Sequence, residues 1–243
     1  MKIRLFVRKK CIRLTAVGYF TVVLLFALIL YLWIANVYRF LTIEKAVATK
    51  TLIVEGWVED YALKNALNYY RKNHFKHLIV TGIPLRQRHN FARFDNTAPL
   101  AASVLHSFGF KDTIFEASIP SNIYINRTYN TAVASRMIFE QHPRWPKSLM
   151  IYSVGVHSKR TKRMFDLAFG DAYRIGIVAG EDDTYDSKHF WRTSKGFRTV
   201  SNEFVAYLWV CFFFHPDYRQ YRQNILLGRY VDKLLSERKA IDK

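Results

Sequence analysis

The hydrophobic pattern near the N-terminus is one long apolar run. Twenty-five consecutive positions, from Leu14 to Tyr38, carry no charged side chain. A helix of about 20 apolar residues crosses the hydrocarbon core of a bilayer, whereas the apolar core of a signal peptide is shorter. The pattern therefore predicts a transmembrane helix over residues 14–38.

The segment before this run is strongly basic. Residues 1–13 contain six Lys and Arg and no acid, and Lys and Arg are enriched on the cytoplasmic side of membrane spans. We therefore expect a single pass through the cell membrane with the N-terminus in the cytoplasm. The rest of the chain is then expected on the outer (periplasmic or extracytoplasmic) face.

Beyond residue 50, short apolar runs alternate with longer segments of three-and-four spacing. The runs are typical of buried strands and the longer segments of amphipathic helices. No hairpin signal joins them, so successive strands are expected to be parallel. This predicts a three-layer α/β fold with a mostly parallel sheet of about five strands. The predicted strands are 51–55, 77–81, 113–116, 148–153 and 174–178, and the predicted helices are 59–73, 97–108, 128–141 and 157–169.

Two further apolar segments lie C-terminal to these alternating strands and helices. Residues 202–214 predict a helix that packs on the sheet or also dips into the bilayer interface. Residues 225–235 carry an apolar stripe bordered by basic residues, typical of a helix that covers the domain or lies on anionic lipid. The expected organisation is a basic tail (1–13), the span (14–38), a linker (39–50), the α/β domain (51–214) and a helical tail (215–243).

Charge and the Cys and His residues limit the classes of partner, disulfide and metal site that the chain can have. The chain has 37 Lys and Arg against 19 Asp and Glu, and residues 51–243 alone carry 28 basic against 18 acidic side chains, or +10. The expected topology and the lack of a nucleic-acid motif exclude nucleic acid, leaving membrane lipid and phosphate-bearing glycans. Cys11 and Cys211 fall on opposite sides of the span, so no disulfide is expected. The His residues lack metal-binding spacing, so no metal is expected.

The turns after the predicted strands hold the candidate site, because ligands of open parallel sheets bind beyond the carboxyl ends of the strands. After the first strand, Glu55 could accept a proton or hold a ligand hydroxyl. Gly56 allows close backbone approach to a ligand, and Asp60 follows it. A tight turn without a ligand is the alternative.

The turns after the second and third strands add possible anion contacts. Gly82 opens a loop with Arg86 and Arg88, which could bind phosphate or carboxylate or be a solvated charged loop. Thr128 is the expected N-cap of the helix that follows the third strand, and Asn130 lies in its first turn. The free N–H groups of such a turn attract anions.

The turn after the fourth strand gives the strongest signal. His157, Arg160 and Arg163 fall at three-residue steps on one helical face. Cations are disfavoured at the positive end of a helix dipole, so we expect either a phosphate-bearing ligand there or acids elsewhere in the fold that pair with them. His157 is the candidate general acid or base, because its ordinary pKa is near neutrality, and Glu55 is its partner carboxylate.

Several short motifs, in this order, resemble the YdcF-like family of SanA- and ElyC-type envelope proteins. They span about residues 51–209 and read LIVEGW, VTG, RTYNTA, HSKR and SNEFVAYLW. The resemblance implies a Rossmann-like sheet behind a membrane helix, and a role in envelope integrity or in cell-wall and surface-polysaccharide metabolism. It also implies that Thr128, His157, Arg160 and Glu203 belong to the site.

The chain departs from the family pattern at three places. It has Gly82-Ile83 where the family commonly has a Gly pair, Asn130-Thr131 where it has Glu-Asn, and Thr97 where a Glu opens the second helix. These three positions belong to the family's catalytic pattern, so a shared catalytic mechanism does not follow from the resemblance. The anion-binding residues of the pattern are present.

The function expected from these features is membrane-anchored binding of a phosphate-bearing small molecule or lipid-linked glycan in support of the envelope. Two alternatives stay open: a non-catalytic scaffold or adaptor of envelope machinery, and an enzyme that binds a nucleotide or S-adenosylmethionine. The dinucleotide and triphosphate fingerprints are absent from the sequence, so no cofactor is assigned.

Overall fold

The computed structural model describes residues 15–85 and 94–241. The chain divides into two units, one up to Val37 and the other from Tyr38 onward. The helices are α1 (Ala16–Leu41), α2 (Asp60–Lys72), α3 (Thr97–Ser107), α4 (Arg127–Gln141), α5 (Ser158–Phe169), α6 (Ser194–Phe212) and α7 (Tyr218–Ile241). The strands are β1 (Thr51–Glu55), β2 (His77–Gly82), β3 (Ile114–Ser118), β4 (Ser148–Val154) and β5 (Arg174–Gly180), and short 3-10 turns cover Gly155–His157 and Ser187–Arg192.

The five strands form one parallel sheet in the order β3-β2-β1-β4-β5. Along β1, Leu52 and Val54 contribute to the core on the side of α2 and α3, and Ile53 to the core on the side of α4 and α5. Every residue of β1 and β4 is buried, as expected of parallel strands with helices on both faces. The predicted three-layer α/β fold is confirmed.

The long apolar helix near the N-terminus is also present. Within residues 15–85 and 94–241, α1 is the one helix long and apolar enough to cross a membrane. Its last turn, from Tyr38, belongs to the second unit, where Leu41 is completely buried.

The segment predicted as a linker, residues 39–50, is largely built into the second unit. Lys45 pairs with Ile177 of β5 through two backbone hydrogen bonds, of 2.8 and 2.9 Å. Thr49 donates its hydroxyl to the Ser148 carbonyl at the start of β4, at 2.6 Å. The predicted connector therefore covers the outer edge of β5.

Three helix predictions need correction. Thr128 is not an N-cap, because α4 begins at Arg127 after Asn126, which has a left-handed backbone. The helix predicted to begin at residue 202 begins at Ser194, where the Thr193 hydroxyl accepts the Gly196 amide hydrogen bond. This helix, α6, packs chiefly against α5 and the 3-10 turns rather than on the sheet.

Candidate functional site

The candidate site lies where β1 and β4 are neighbours in the middle of the sheet. The chain crosses to opposite sides of the sheet from these two strands, and such a switch point leaves a crevice at their carboxyl ends. Glu55 ends β1, Ser153 lies near the end of β4, and His157 follows in the 3-10 turn before α5. The order of strands therefore brings together residues that are about 100 positions apart.

Glu55 is a buried carboxylate with several donors around it. It is 2% exposed. Its Oε2 accepts a hydrogen bond from Ser153 Oγ at 2.5 Å, and its Oε1 accepts one from Thr161 Oγ1 at 3.2 Å. Burial raises the pKa of Glu55, but the charge of His157 and the hydrogen bond from Ser153 outweigh it and hold the pKa below its ordinary value. Glu55 is therefore an anion at neutral pH.

Glu203 reaches the same point from α6. Its carboxylate is paired in bidentate fashion with Arg160, at 2.8 Å from Nε to Oε2 and 3.0 Å from Nη2 to Oε1. The same Oε1 lies 3.0 Å from Nδ1 of His157. Burial opposes ionisation, yet the charges and hydrogen bonds of His157 and Arg160 lower the pKa of Glu203 to about 2.

His157 lies between the two carboxylates. Burial disfavours its charged form, and so does the Arg160 guanidinium, whose Nη2 lies 2.9 Å from Nδ1, but Glu55 and Glu203 together outweigh both and raise its pKa to about 9. His157 is therefore an imidazolium at neutral pH, and it forms a cluster of zero net charge with Glu55, Glu203 and Arg160. Of the three cations predicted near the start of this helix, His157 and Arg160 are neutralised by acids from β1 and α6, as in the acid-pairing alternative, whereas Arg163 is exposed.

One polar atom of this cluster lacks a hydrogen bond. Nε2 of His157 lies 3.4 Å from Oε1 of Glu55, close enough for charge attraction but outside hydrogen-bonding geometry. The atom is buried, and the Trp57 indole stands edge-on to the imidazole with ring centroids 4.9 Å apart. An imidazolium N–H without an acceptor is an unsatisfied donor, and a ligand that moves aside part of the packing around Trp57 would satisfy it.

Two cavities meet at this point and share Trp57, His157 and Glu203. The larger, of about 320 Å³, is mixed in charge, with Glu59, Asp182 and Lys195 among its walls. The smaller, of about 260 Å³, is basic. Its walls include Arg127, Thr128, Thr131 and Arg160.

The smaller cavity lies at the N-terminal end of α4. Thr128 accepts a hydrogen bond on Oγ1 from Nη1 of Arg160 at 3.3 Å, so the guanidinium bridges α4 and α6. Arg127 is exposed beside it. The first-turn amides of a helix and the positive end of its dipole attract anions. The cavity therefore combines the N-terminal end of a helix with basic side chains, an arrangement that suits an anionic ligand.

Other predicted site residues lie apart from this centre. Asp60 and Arg163 are exposed, and neither lines the two cavities. Asn130 is buried and donates from Nδ2 to the carbonyls of Ile125 and Asn126, both at 3.1 Å, so it holds the turn before α4.

The two predicted glycines are packing positions, and two predicted arginines are not described. A Cβ at Gly56 would collide with the Thr81 carbonyl, and one at Gly82 with the Asn96 side chain. Arg86 and Arg88 lie outside the described residues.

Four contributing residues were not predicted as site residues. Trp57 and Arg127 follow predicted strands and Ser153 ends one, so their positions alone could have included them. Thr161 gives no such signal, because a threonine inside an amphipathic helix reads as an ordinary core residue. Its contact with Glu55 follows only from the packing of α5 against the sheet.

Comparisons with protein-family models and with curated proteins add no relative. A scan against protein-family models and a search of the curated proteins both found no match. Within the described residues, no group of three or more His, Cys, Asp or Glu is arranged to hold a metal ion. The family resemblance therefore rests on the five motifs and their order.

Proposed function

We propose that this protein is a membrane-anchored envelope protein of the YdcF-like type that binds a phosphate-bearing envelope metabolite or lipid-linked sugar. One observation carries the proposal: Arg127, Arg160 and the first turn of α4 line a cavity that also contains the imidazolium of His157. Phosphate is the common biological anion that uses helix amides and guanidinium groups together.

The charge balance of the site supports an anion rather than a cation. Glu55 and Glu203 are fully offset by His157 and Arg160, so the buried cluster does not repel a negative group. Arg127 then adds a positive charge that these acids do not neutralise. A phosphate in the smaller cavity would leave room for an attached sugar in the larger one, which lies across Trp57 and His157.

His157 is the residue best placed for chemistry in such a complex. As an imidazolium it can donate a proton from Nε2, whereas a base would need a neutral imidazole. Glu55 and Glu203 keep it charged, and Glu203 holds Nδ1. The proposed role of His157 is therefore general acid, and Glu55 acts as its partner. Residues that only bind the phosphate would be Arg127, Thr128 and Arg160.

The non-catalytic alternative has one observation in its favour. Both carboxylates hold the charged state of His157, and a pKa of about 9 is well above the value that suits proton transfer at neutral pH. A protein that binds the phosphate group without chemistry would use the same imidazolium as a fixed donor. In that case His157→Gln, which keeps an N–H donor, should retain binding and function in cells, whereas a general acid would be lost.

Binding by the full chain in detergent tests the proposal. Isothermal titration would use inorganic phosphate, hexose phosphates and a lipid phosphate with the wild type, Arg127→Ala and Arg163→Ala. Both variants remove one exposed arginine, but only Arg127 lines the cavity. We expect Arg127→Ala to weaken the best phosphate ligand roughly tenfold, because a charge-assisted hydrogen bond is lost. Equal affinities for the two variants, or no binding to folded protein, would refute the site.

A further inference from the structure

The C-terminal half of α6 exposes large apolar side chains. Val205 is 65% exposed, Phe212 67% and Phe213, just after the helix, 73%, and Trp209 is also exposed. Val205, Trp209 and Phe212 follow one another at four- and three-residue steps, so they share one helical face. Clustered exposed apolar side chains of this size mark a contact surface in soluble domains.

The opposite face of α6 belongs to the candidate site and the core. Glu203 points to His157 and Arg160, and Val210 is buried in the core beside Phe214. The helix is therefore divided between an inner face that serves the site and an outer apolar face.

The end of α1 is fixed to this same helix. The Phe40 ring lies 6.3 Å from that of Phe204 and 5.6 Å from that of Tyr207, between centroids. Lys159 of α5 places its Nζ 3.2 Å from the centre of the Phe40 ring and donates to the Phe40 carbonyl at 2.9 Å. These contacts hold the exit of α1 against α5 and α6.

Chain length sets the depth of this contact. The uncharged run ends at Tyr38, and Phe40 lies two residues further, about 3 Å along a helix. The headgroup layer beyond the hydrocarbon core is about 5–7 Å thick on each side. Phe40 and its partners Phe204 and Tyr207 are thus placed at headgroup depth when α1 spans the membrane.

We propose that the outer face of the C-terminal half of α6 lies in the bilayer interface, with the phospholipid surface as its partner. The inference rests on the membrane anchoring in the proposed function, and it goes beyond it by assigning a second membrane contact. Exposed Arg198 of α6 fits this surface, because a long basic side chain reaches anionic headgroups while its stem packs on apolar groups.

Spin labels on the full chain in phosphatidylcholine–phosphatidylglycerol vesicles test this contact. In a background with Cys11→Ser and Cys211→Ser, single cysteines would replace Val205, Phe213, Lys64 and Leu28. Lys64 is an exposed residue of α2 and is the aqueous control, and Leu28 of α1 is the membrane control. Collisions with oxygen and with a water-soluble nickel complex report the depth of each label.

The expected result is that labels at Val205 and Phe213 collide preferentially with oxygen, by several-fold over the label at Lys64. Water-like labels at these two positions, with Leu28 inside the bilayer, would overturn the α6 contact and leave the anchor intact. A water-like label at Leu28 would overturn both the membrane anchoring by α1 and the lipid contact of α6. Dipolar broadening between labels on separate copies would assign the face to self-association instead, which also overturns the lipid contact.

Discussion

At the residue scale, the position of His157 could be predicted from the sequence and its protonation could not. Its place after a buried run put it at the carboxyl edge of a parallel sheet. Its charge state depends on Glu55 and Glu203, which lie far away along the chain and arrive through β1 and α6. Glu203 was implied only by the family resemblance, because a lone acid in an apolar helix carries no local sign of its partner.

This cluster makes stability depend on pH in a defined direction. The pKa of His157 is raised to about 9 from an ordinary 6.5, so its ion pairs stabilise the fold fully below pH 6.5 and are lost as the pH rises through 9. We expect the free energy of unfolding to fall by roughly 3 kcal/mol over this interval. Chemical denaturation of the full chain in detergent at a series of pH values would measure it.

The control for this pH dependence is His157→Gln, in which the loss between pH 6.5 and 9 should be absent. On the acid side, the pKa of Glu203, lowered to about 2 from 4.5, predicts stabilisation that is present above pH 4.5 and declines as the pH falls through 2. The same alkaline loss in wild type and variant would show that His157 is not charged in the folded protein.

At the scale of elements, buried strands were the easiest to predict. Their apolar runs are continuous because both faces of the sheet are covered, and the observed strands differ from the predicted ones by no more than two residues at either end. The start of α6 was harder, because residues 194–201 are mostly polar and give no apolar stripe. What begins this helix is a single hydroxyl, that of Thr193.

The cap at Thr193 can be tested directly. Its Oγ1 accepts a hydrogen bond from the Gly196 amide at 3.1 Å, and Thr193 is exposed, so its substitution disturbs little packing. Thr193→Ala should lower the free energy of unfolding by about 1 kcal/mol, the usual value of an N-cap side chain. Thr193→Ser keeps the hydroxyl and should lose much less. Equal losses in the two variants would mean that the cap does not stabilise α6.

The helical tail illustrates a second limit of sequence patterns at this scale. Residues 225–235 were expected either to cover the domain or to lie on lipid, and α7 has one face suited to each. Ile225 is fully buried in the core, and Asp232 accepts hydrogen bonds from Ser121. Leu227, Tyr230 and Leu234 are exposed on the other side. The apolar periodicity of a helix does not show which of its apolar residues pack against the domain and which are exposed.

At the scale of the whole molecule, the sheet order explains why separate turns form one site. Sequence patterns indicated parallel strands but not which ones are neighbours. The order β3-β2-β1-β4-β5 places β1 beside β4, and so joins Glu55 to Ser153 and His157. The loop with Arg86 and Arg88 lies outside the described residues, so its predicted contact with phosphate stays a prediction.

The proposed topology makes its own prediction at this scale. Protease added to spheroplasts should digest the domain that follows α1, while a tag at the cytoplasmic N-terminus stays protected until the membrane is permeabilised. Immunoblots against the two ends of the chain would measure this. A cytoplasmic marker protein must stay intact in the same sample. Digestion of the N-terminal tag with a protected domain would reverse the proposed orientation.

The backbone pairing of Lys45 with Ile177 ties the segment after α1 to the sheet within the second unit. A flexible connector of the predicted length, residues 39–50, would let the domain drift about 20 Å. Here only three residues separate Leu41, the end of α1, from a hydrogen-bonded position on the sheet. If α1 spans a membrane as proposed, a domain joined to it by so short a segment would search for its ligand in the membrane plane. A ligand attached to lipid would meet it by lateral diffusion, whereas a freely dissolved one would have to arrive from the bulk.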